Sequence, residues 1–210
     1  MPDRAMHSLL HVGRWALTLA SAVVALGVTS GEAAAQRRVA PDSLRNIQHV
    51  SPLYGPVGTE VTVFTENLPL QAKVHVGVGA TRTGFEALFE AEQQMWGEIS
   101  ATVMIPETAP WDRAVVLIAF DAIFAPIGIS EPFHVINSEG LLQRTGEITG
   151  EGVECLAMRD TDGFLYTLTG EIGSLQEGDR VSLKGTYVET STCMQGTTIN
   201  VVRILPPSSQ

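Results

Sequence analysis

The stretch ISATVMI, residues 99–105, carries an apolar side chain at every second position, beginning with Ile99. A period of two places successive side chains on opposite faces of a β-strand, so that one face packs on a core and the other meets water. The same alternation occurs in VTVFT, residues 61–65, and in VHVGV, residues 74–78. These patterns predict that the chain is all-β.

Two further stretches extend the strand pattern. AVVLIAF, residues 114–120, is continuously apolar and rich in β-branched residues, which is typical of a central strand covered on both faces. GFEALFEAEQQMW, residues 84–96, contains strong helix formers, so a helix is an open alternative there. We predict a strand followed by a turn, because Trp96 and Gly97 stand where a hairpin corner would lead into ISATVMI.

The stretch SPLYGPVGTEVTVFT, residues 51–65, resembles the opening of IPT/TIG domains, which are immunoglobulin-like modules. GEISATVMIP, residues 97–106, resembles their middle hairpin. The resemblance covers about residues 47–136 and departs from the family in the long segment 80–94. It implies an immunoglobulin-like β-sandwich over residues 36–138 that serves as a spacer, adhesion or binding unit and carries no chemistry of its own.

The second half of the chain has a different arrangement. The polar, turn-prone sequence NSEG, residues 137–140, separates it from the first half, and we place the domain boundary between Ser138 and Glu139. Residues 146–205 contain five short strand candidates, a number that closes a small barrel. We therefore predict a five-stranded barrel in a second domain, residues 139–210.

Local motifs relate this barrel to known β-folds. LQEGDRVSLKG, residues 175–185, resembles a recurring segment of OB-folds, in which Gly185 permits a sharp bend. The motifs GVEC (152–155), LYTLTG (165–170) and CMQGTTI (193–199) are similar to a bacterial OB-like family of unknown function. The resemblance implies an OB-like barrel and an exported location, and it implies no activity.

The N-terminal segment, residues 1–35, has the pattern of a secretory signal peptide. Arg4 and Arg14 precede an uncharged, mostly apolar run at residues 15–28, and small residues at 33–35 suit a signal peptidase. This run is shorter than the roughly 20 residues that cross a bilayer, so an uncleaved anchor is the less favoured alternative. We predict a periplasmic or secreted protein without a transmembrane anchor after cleavage.

The chain is acidic, with a formal net charge of −10 at pH 7. The charges of residues 1–35 cancel, so removal of the predicted signal peptide leaves this value unchanged. A surface of this sign repels phosphate backbones and anionic headgroups. We therefore expect no nucleic-acid partner.

The two cysteines, Cys155 and Cys193, both lie in the predicted barrel. An even number of cysteines in an oxidising compartment favours a disulfide, and closing this loop should stabilise the fold by roughly 4 kcal/mol on the chain-entropy model. A redox pair is the alternative, but the C-x-x-C spacing is missing. We predict a structural disulfide.

The sequence DTDG, residues 160–163, partly matches the start of a calcium-binding loop. Asp160 and Asp162 could converge on one cation, but Phe164 occupies the next ligand position of an EF-hand loop. A hairpin turn with a capping Asp and a glycine at positive φ is the interpretation we prefer. We accordingly assign no metal site.

Catalytic groups are not indicated by any motif. His49, His75 and His134 stand outside short motifs, and the last two occupy off-core positions of alternating strands, which predicts solvated side chains. Glu90 and Glu92 would share a strand face, most simply a solvated one. The sequence contains neither G-x-S-x-G nor a glycine-rich phosphate loop. We assign no catalytic residue and no cofactor.

Aromatic residues are the remaining candidates for binding. Trp96, Trp111 and Tyr187 are expected to pack in the core or at corners, although exposed aromatics on β-modules can stack on sugars or on a protein. The face of an OB-like barrel can also hold a ligand on its second and third strands, where Phe164 and Tyr166 lie.

Together these features predict a non-catalytic exported protein in which an immunoglobulin-like module carries an OB-like module that binds a protein or a glycan at the cell envelope. The alternatives are a secreted hydrolase whose carboxylates assemble only in three dimensions, and a calcium-dependent adhesion module.

Overall fold

The structure is a computed structural model, and it describes residues 47–66, 68, 71, 73–80, 84–92 and 97–206. The predicted signal peptide, residues 1–35, and Trp96 lie outside these residues. The regular elements of the described part of the chain are all β-strands, which confirms the all-β class. Within the same residues, no helix has the length and hydrophobicity needed to traverse a bilayer.

The strands are, in chain order, β1 (His49–Ser51), β2 (Tyr54–Gly55), β3 (Glu60–Thr65), β4 (Val74–Ala80), β5 (Gly84–Ala91), β6 (Ile99–Met104), β7 (Val115–Phe120), β8 (Pro126–Val135), β9 (Leu142–Thr149), β10 (Leu156–Asp160), β11 (Leu165–Gly170), β12 (Arg180–Val188) and β13 (Thr197–Leu205).

The first eight strands form two sheets. One sheet has three antiparallel strands in the order β1-β3-β6, and the other has five strands in the order β2-β8-β7-β4-β5. In β6 every second side chain is buried, beginning with Ile99, as the alternation predicts. Strand β7, the continuous apolar run, lies in the interior of the five-stranded sheet between β8 and β4, which also agrees with the prediction.

Strand β5 settles the ambiguous segment in favour of a strand for residues 84–91. It pairs antiparallel with β4 along its whole length, and the ladder shifts register between Val76 and Gly77. A Cβ atom on Gly77 would lie 2.4 Å from the carbonyl oxygen of Glu86, so this bulge requires a glycine.

The two sheets share one apolar core. Its members come from both sheets and are nearly inaccessible to solvent; they include Val61, Ile99, Val103, Val74, Leu117 and Phe133. Because each strand contributes the side chains of one face, burying this core fixes which face of each strand points inward. We call β1 to β8 the sheet pair.

The last five strands close into a barrel in the order β9-β10-β11-β13-β12, with β12 pairing back to β9. All neighbours are antiparallel except β11 and β13, which run parallel. The barrel encloses its own apolar cluster, formed by Leu142, Ile148, Met158, Tyr166, Leu168, Val181, Leu183, Ile199 and Val201. The five-stranded barrel predicted from the sequence is therefore present.

The bend predicted at Gly185 coincides with an irregularity in the barrel. The pairing of β12 with β13 shifts register between Lys184 and Gly185. A Cβ atom at Gly185 would lie 2.5 Å from the carbonyl oxygen of Asn200, so only glycine lets the two strands approach this closely.

A tight turn joins the sheet pair to the barrel. The side-chain oxygen of Asn137 accepts hydrogen bonds from the amides of Glu139 and Leu141, both at 2.9 Å, and Gly140 has a φ of 75°. The short connection keeps β8 close to the beginning of β9, and polar residues from both sides meet at this junction.

Candidate functional site

The disulfide lies in the loops at one end of the barrel. Cys155 immediately precedes β10, and Cys193 lies in the connection between β12 and β13. The two sulfur atoms are at bonding distance and the Cα atoms are 5.5 Å apart, so the pair predicted from the sequence is the one that forms. The bond holds the loop at residues 150–155 against the loop at residues 189–196.

The DTDG sequence forms the hairpin turn between β10 and β11. The Oδ1 atom of Asp160 accepts hydrogen bonds from the amides of Asp162 and Phe164, at 2.9 and 2.8 Å, and Gly163 has a φ of 92°. The predicted roles of Asp160 as a cap and of Gly163 as the left-handed residue are thus confirmed.

Asp162 joins this turn to the sheet pair. Its carboxylate forms a two-point ion pair with the guanidinium of Arg113, through Nε to Oδ2 at 3.0 Å and through a second, shorter contact. The side chain of Asp162 is only 1% exposed. Asp160 therefore binds the amides of its own turn, and Asp162 binds Arg113. The described residues contain no cluster of three His, Cys, Asp or Glu side chains that could hold a metal ion.

His134 corrects a prediction from the sequence, because its side chain is buried, with 1% exposure, rather than solvated. Its neighbours Phe133 and Val135 point into the core of the sheet pair, and His134 points to the opposite face of β8. That face meets the barrel instead of water: the imidazole contacts the rings of Tyr166 and Tyr187. The alternation was interpreted correctly, but the off-core face of β8 is covered by the barrel.

The hydrogen bonds of His134 determine its protonation. A nitrogen of the Arg144 guanidinium lies 2.9 Å from Nδ1, and because a guanidinium only donates, Nδ1 must accept. The remaining proton is then on Nε2, which donates to the hydroxyl of Thr197 at 3.2 Å. Burial, together with the Arg144 charge, holds the pKa of His134 well below its usual value of 6.5. The His134 side chain is therefore neutral, and it links Arg144 to Thr197 by accepting one hydrogen bond and donating another.

This environment predicts a stability that falls on acidification. In the unfolded chain His134 binds a proton near pH 6.5, whereas in the folded protein it does so only at much lower pH. The contribution of neutral His134 to the free energy of unfolding is complete above about pH 7. This free energy should fall by up to about 1.4 kcal/mol per pH unit as the pH decreases below about 6.5.

The measurement is the midpoint of urea unfolding between about pH 7 and pH 5.5. His134→Gln keeps one acceptor and one donor but does not titrate, so its midpoint should depend less on pH than that of the wild type. His49→Gln, which changes an exposed histidine, should retain the wild-type slope. Equal slopes for the wild type and His134→Gln would contradict the assignment.

Arg144 is the central residue of the junction, and sequence reasoning missed it. It follows buried Leu142 by two positions on β9, so it faces inward, and its side chain is completely buried. Its Nε donates to the hydroxyl of Tyr166 at 2.9 Å, and its Nη1 donates to the carbonyl oxygens of Trp111 at 3.1 Å and of Gln143 at 2.6 Å. Arg144 stands two positions after the core residue Leu142, and this spacing could have indicated from the sequence that its side chain faces inward.

Tyr166 corrects a second prediction, since it is completely buried and cannot stack on a ligand outside the barrel. Its hydroxyl accepts a hydrogen bond from Nε of Arg144 at 2.9 Å. Burial raises the pKa of Asp160, while two backbone amides and the charge of Arg144 act in the opposite direction. A continuous chain of hydrogen bonds runs from Tyr166 through Arg144 and His134 to Thr197, across the junction.

A cleft of about 560 Å³ opens beside this chain. The sheet pair contributes Leu53, Glu131 and Pro132 to its walls, and the barrel contributes the rest. The barrel side includes Arg159, Phe164, Tyr187, Val188, Glu189, Cys193 and Thr197. Of the aromatic residues considered from the sequence, Phe164 and Tyr187 therefore reach the cleft.

A pair of tyrosines connects the sheet pair to the barrel. The rings of Tyr54 and Tyr187 stack with centroids 4.4 Å apart, and the hydroxyl of Tyr54 donates to Glu189 at 3.1 Å. Burial raises the pKa of Tyr187, and the nearby charges of Glu131 and Glu189 raise it further. Both carboxylates line the cleft together with this phenol.

The other residues considered from the sequence lie elsewhere. His75 is half-buried and stacks on the exposed Phe124 with ring centroids 4.6 Å apart, and Glu90 forms an exposed ion pair with Lys73 at 2.9 Å. Trp111 is half-buried, and the ammonium of Lys184 lies 4.8 Å from the centre of its ring. The structure also leaves His49 and Glu92 exposed to solvent, away from the cleft residues.

Comparison of the chain with protein-family models, with curated proteins and with solved structures gives no match.

Proposed function

We propose that the chain is an exported, non-catalytic binding protein in which an immunoglobulin-like module and an OB-like module together form one ligand cleft. Two packed sheets with an IPT/TIG-like opening support the first assignment. The order of the barrel strands, with the third and fifth strands side by side, supports the second.

Export is supported by two independent features. Residues 1–35 have the composition of a signal peptide. Disulfides persist mainly in oxidising compartments, and Cys155 and Cys193 are at bonding distance. A periplasmic or extracellular location fits both features.

The observation that carries the proposal is the cleft itself. Binding sites tend to occur where structural units meet, because each unit supplies one wall of a concave surface. Here both walls are held in place: the polar chain centred on Arg144 connects them, and the disulfide anchors the rim at Cys193. A pre-organised cleft loses little conformational entropy when a ligand binds.

A non-catalytic role is supported by what the buried polar groups at the junction do. Both ring nitrogens of His134 are hydrogen-bonded, and the carboxylates of Asp160 and Asp162 hold a turn and an arginine. Groups engaged in this way support structure, whereas a general acid or base must reach a substrate proton. We expect the ligand to be a protein or a glycan of the cell envelope.

Affinity chromatography of an envelope extract from the native host tests this function. Immobilised wild-type chain should retain a ligand that Val188→Trp, which fills the cleft, retains at least 10-fold less. Val202→Trp places the same bulk at an exposed position on β13 outside the cleft and should retain the ligand normally. Protease and periodate treatment of the retained material separate a protein from a glycan.

Retention by Val188→Trp equal to that of the wild type would contradict binding in the cleft. The far-ultraviolet circular dichroism of both tryptophan variants should match the wild type, which shows that any loss comes from the cleft and not from unfolding.

A further inference from the structure

Two carboxylates without cationic partners face the cleft. Glu131 comes from β8 in the sheet pair, and Glu189 follows the last residue of β12 in the barrel. Both residues are exposed, and neither forms an ion pair with a lysine or an arginine among the residues that the structure describes. Each unit therefore supplies one negative charge to the same concave surface.

The two carboxylates belong to one cleft, which Tyr187 also lines. Glu189 accepts the hydroxyl proton of Tyr54, whose ring stacks on Tyr187. Like charges that line one cleft repel each other, and a cation bound in the cleft relieves the repulsion.

Arg159, the one arginine among the described residues that line the cleft, does not supply this cation. Arg159 donates two hydrogen bonds to Glu151, from Nε at 3.0 Å and from Nη2 at 2.5 Å, and its Nη1 donates to the carbonyl oxygen of Gly163 at 2.6 Å. Its charge is already balanced by Glu151. The remaining charge of the cleft is negative, so an anionic ligand is disfavoured.

Part of the remaining lining is apolar. Leu53 and Pro132 line the wall from the sheet pair, and Phe164 and Val188 line the wall from the barrel. Lysine and arginine side chains combine an apolar stem with a charged end, and their cations also interact favourably with tyrosine rings. Neutral sugars carry no positive charge, so they do not neutralise the carboxylates of Glu131 and Glu189.

We propose that the cleft binds a segment of another envelope protein through a lysine or arginine side chain, whose charged end lies between Glu131 and Glu189 while its stem packs on the apolar walls. The proposal rests on the proposed function, since it identifies the ligand of that same cleft.

The test uses the full mature chain and an array of fluorescein-labelled decapeptides, each with one central lysine or arginine among apolar residues. Every peptide is paired with a counterpart that has glutamine at the central position. Fluorescence anisotropy should show that the tightest binders lose at least 10-fold in affinity with glutamine, and that added salt weakens only the basic members.

Variants of the chain locate the effect. The double variant Glu131→Gln, Glu189→Gln should bind the basic peptides about 10-fold more weakly. Glu60→Gln, Glu107→Gln makes the same change of net charge at two exposed positions outside the cleft and should bind like the wild type. The charge reversal Glu131→Lys, Glu189→Lys should instead favour peptides with a central glutamate.

The possible outcomes separate this proposal from the function on which it rests. Glutamine counterparts that bind as tightly as basic peptides, or unchanged binding by the double glutamine variant, would overturn the proposal. The proposal would also be overturned if the wild type retains a ligand that periodate destroys and that Val188→Trp does not retain. This result would leave the cleft as the binding site. Retention that Val188→Trp does not affect would contradict both this proposal and the proposed function.

Discussion

Arg144→Ala is expected to lower the free energy of unfolding by about 4 kcal/mol or more, the largest loss that we predict for a single side chain. The substitution removes the donor to two buried acceptors, the Tyr166 hydroxyl and the His134 Nδ1, and to the partly buried carbonyl oxygens of Trp111 and Gln143. Each buried polar group left without a partner costs about 1 to 3 kcal/mol. The vacated volume adds to the loss.

The midpoint of urea unfolding, with the slope fixed by the wild type, measures this loss. Arg144→Lys retains the charge but cannot form the branched set of hydrogen bonds, so it should lie between the wild type and alanine. Arg203→Ala changes an exposed arginine on β13 and should cost less than about 0.5 kcal/mol. A loss below about 1 kcal/mol for Arg144→Ala would show that the junction is held together by other contacts.

Cys155→Ser, Cys193→Ser should lower the free energy of unfolding by about 4 kcal/mol, because the unfolded chain regains the entropy of an open loop. The two cysteines are 38 positions apart, so the loop includes most of the barrel. A small barrel has a limited apolar core, and such a loss is a large fraction of its total stability.

Urea unfolding of the double serine variant and of the wild type, with and without a reductant, measures the effect of the disulfide. Reductant should bring the wild type to the stability of the variant and leave the variant unchanged. A wild-type protein purified from its native host with two free thiols, or a variant as stable as the wild type, would contradict a structural disulfide.

The strands were predictable because local sequence controls the alternation of apolar side chains. The strand at residues 99–104 buries alternate residues, and the run at 115–120 is an interior strand of its sheet, as expected. Strand β5 was ambiguous because its helix formers, such as Leu88, compete with its pairing to β4. Pairing along a whole neighbouring strand outweighs such propensities, which are small for each residue.

The candidate site was much less predictable. Alternation shows which side chains share a face, but it does not show what covers that face. His134 was expected in water for this reason, and Tyr166 was expected to be available to a ligand, yet both are buried beside Arg144. Glu131 and Glu189 line one cleft only because β8 and β12 come together at the junction, and no local pattern relates two positions so far apart in the chain.

Amide hydrogen exchange of the full chain, alone and with the ligand retained from the envelope extract, tests ligand binding at the junction most directly. We predict slower exchange in β8 around Glu131 and in residues 187–198, where the walls of the cleft lie. Slower exchange confined to β5 and the exposed turn at Phe124, with no change at the cleft, would contradict the account.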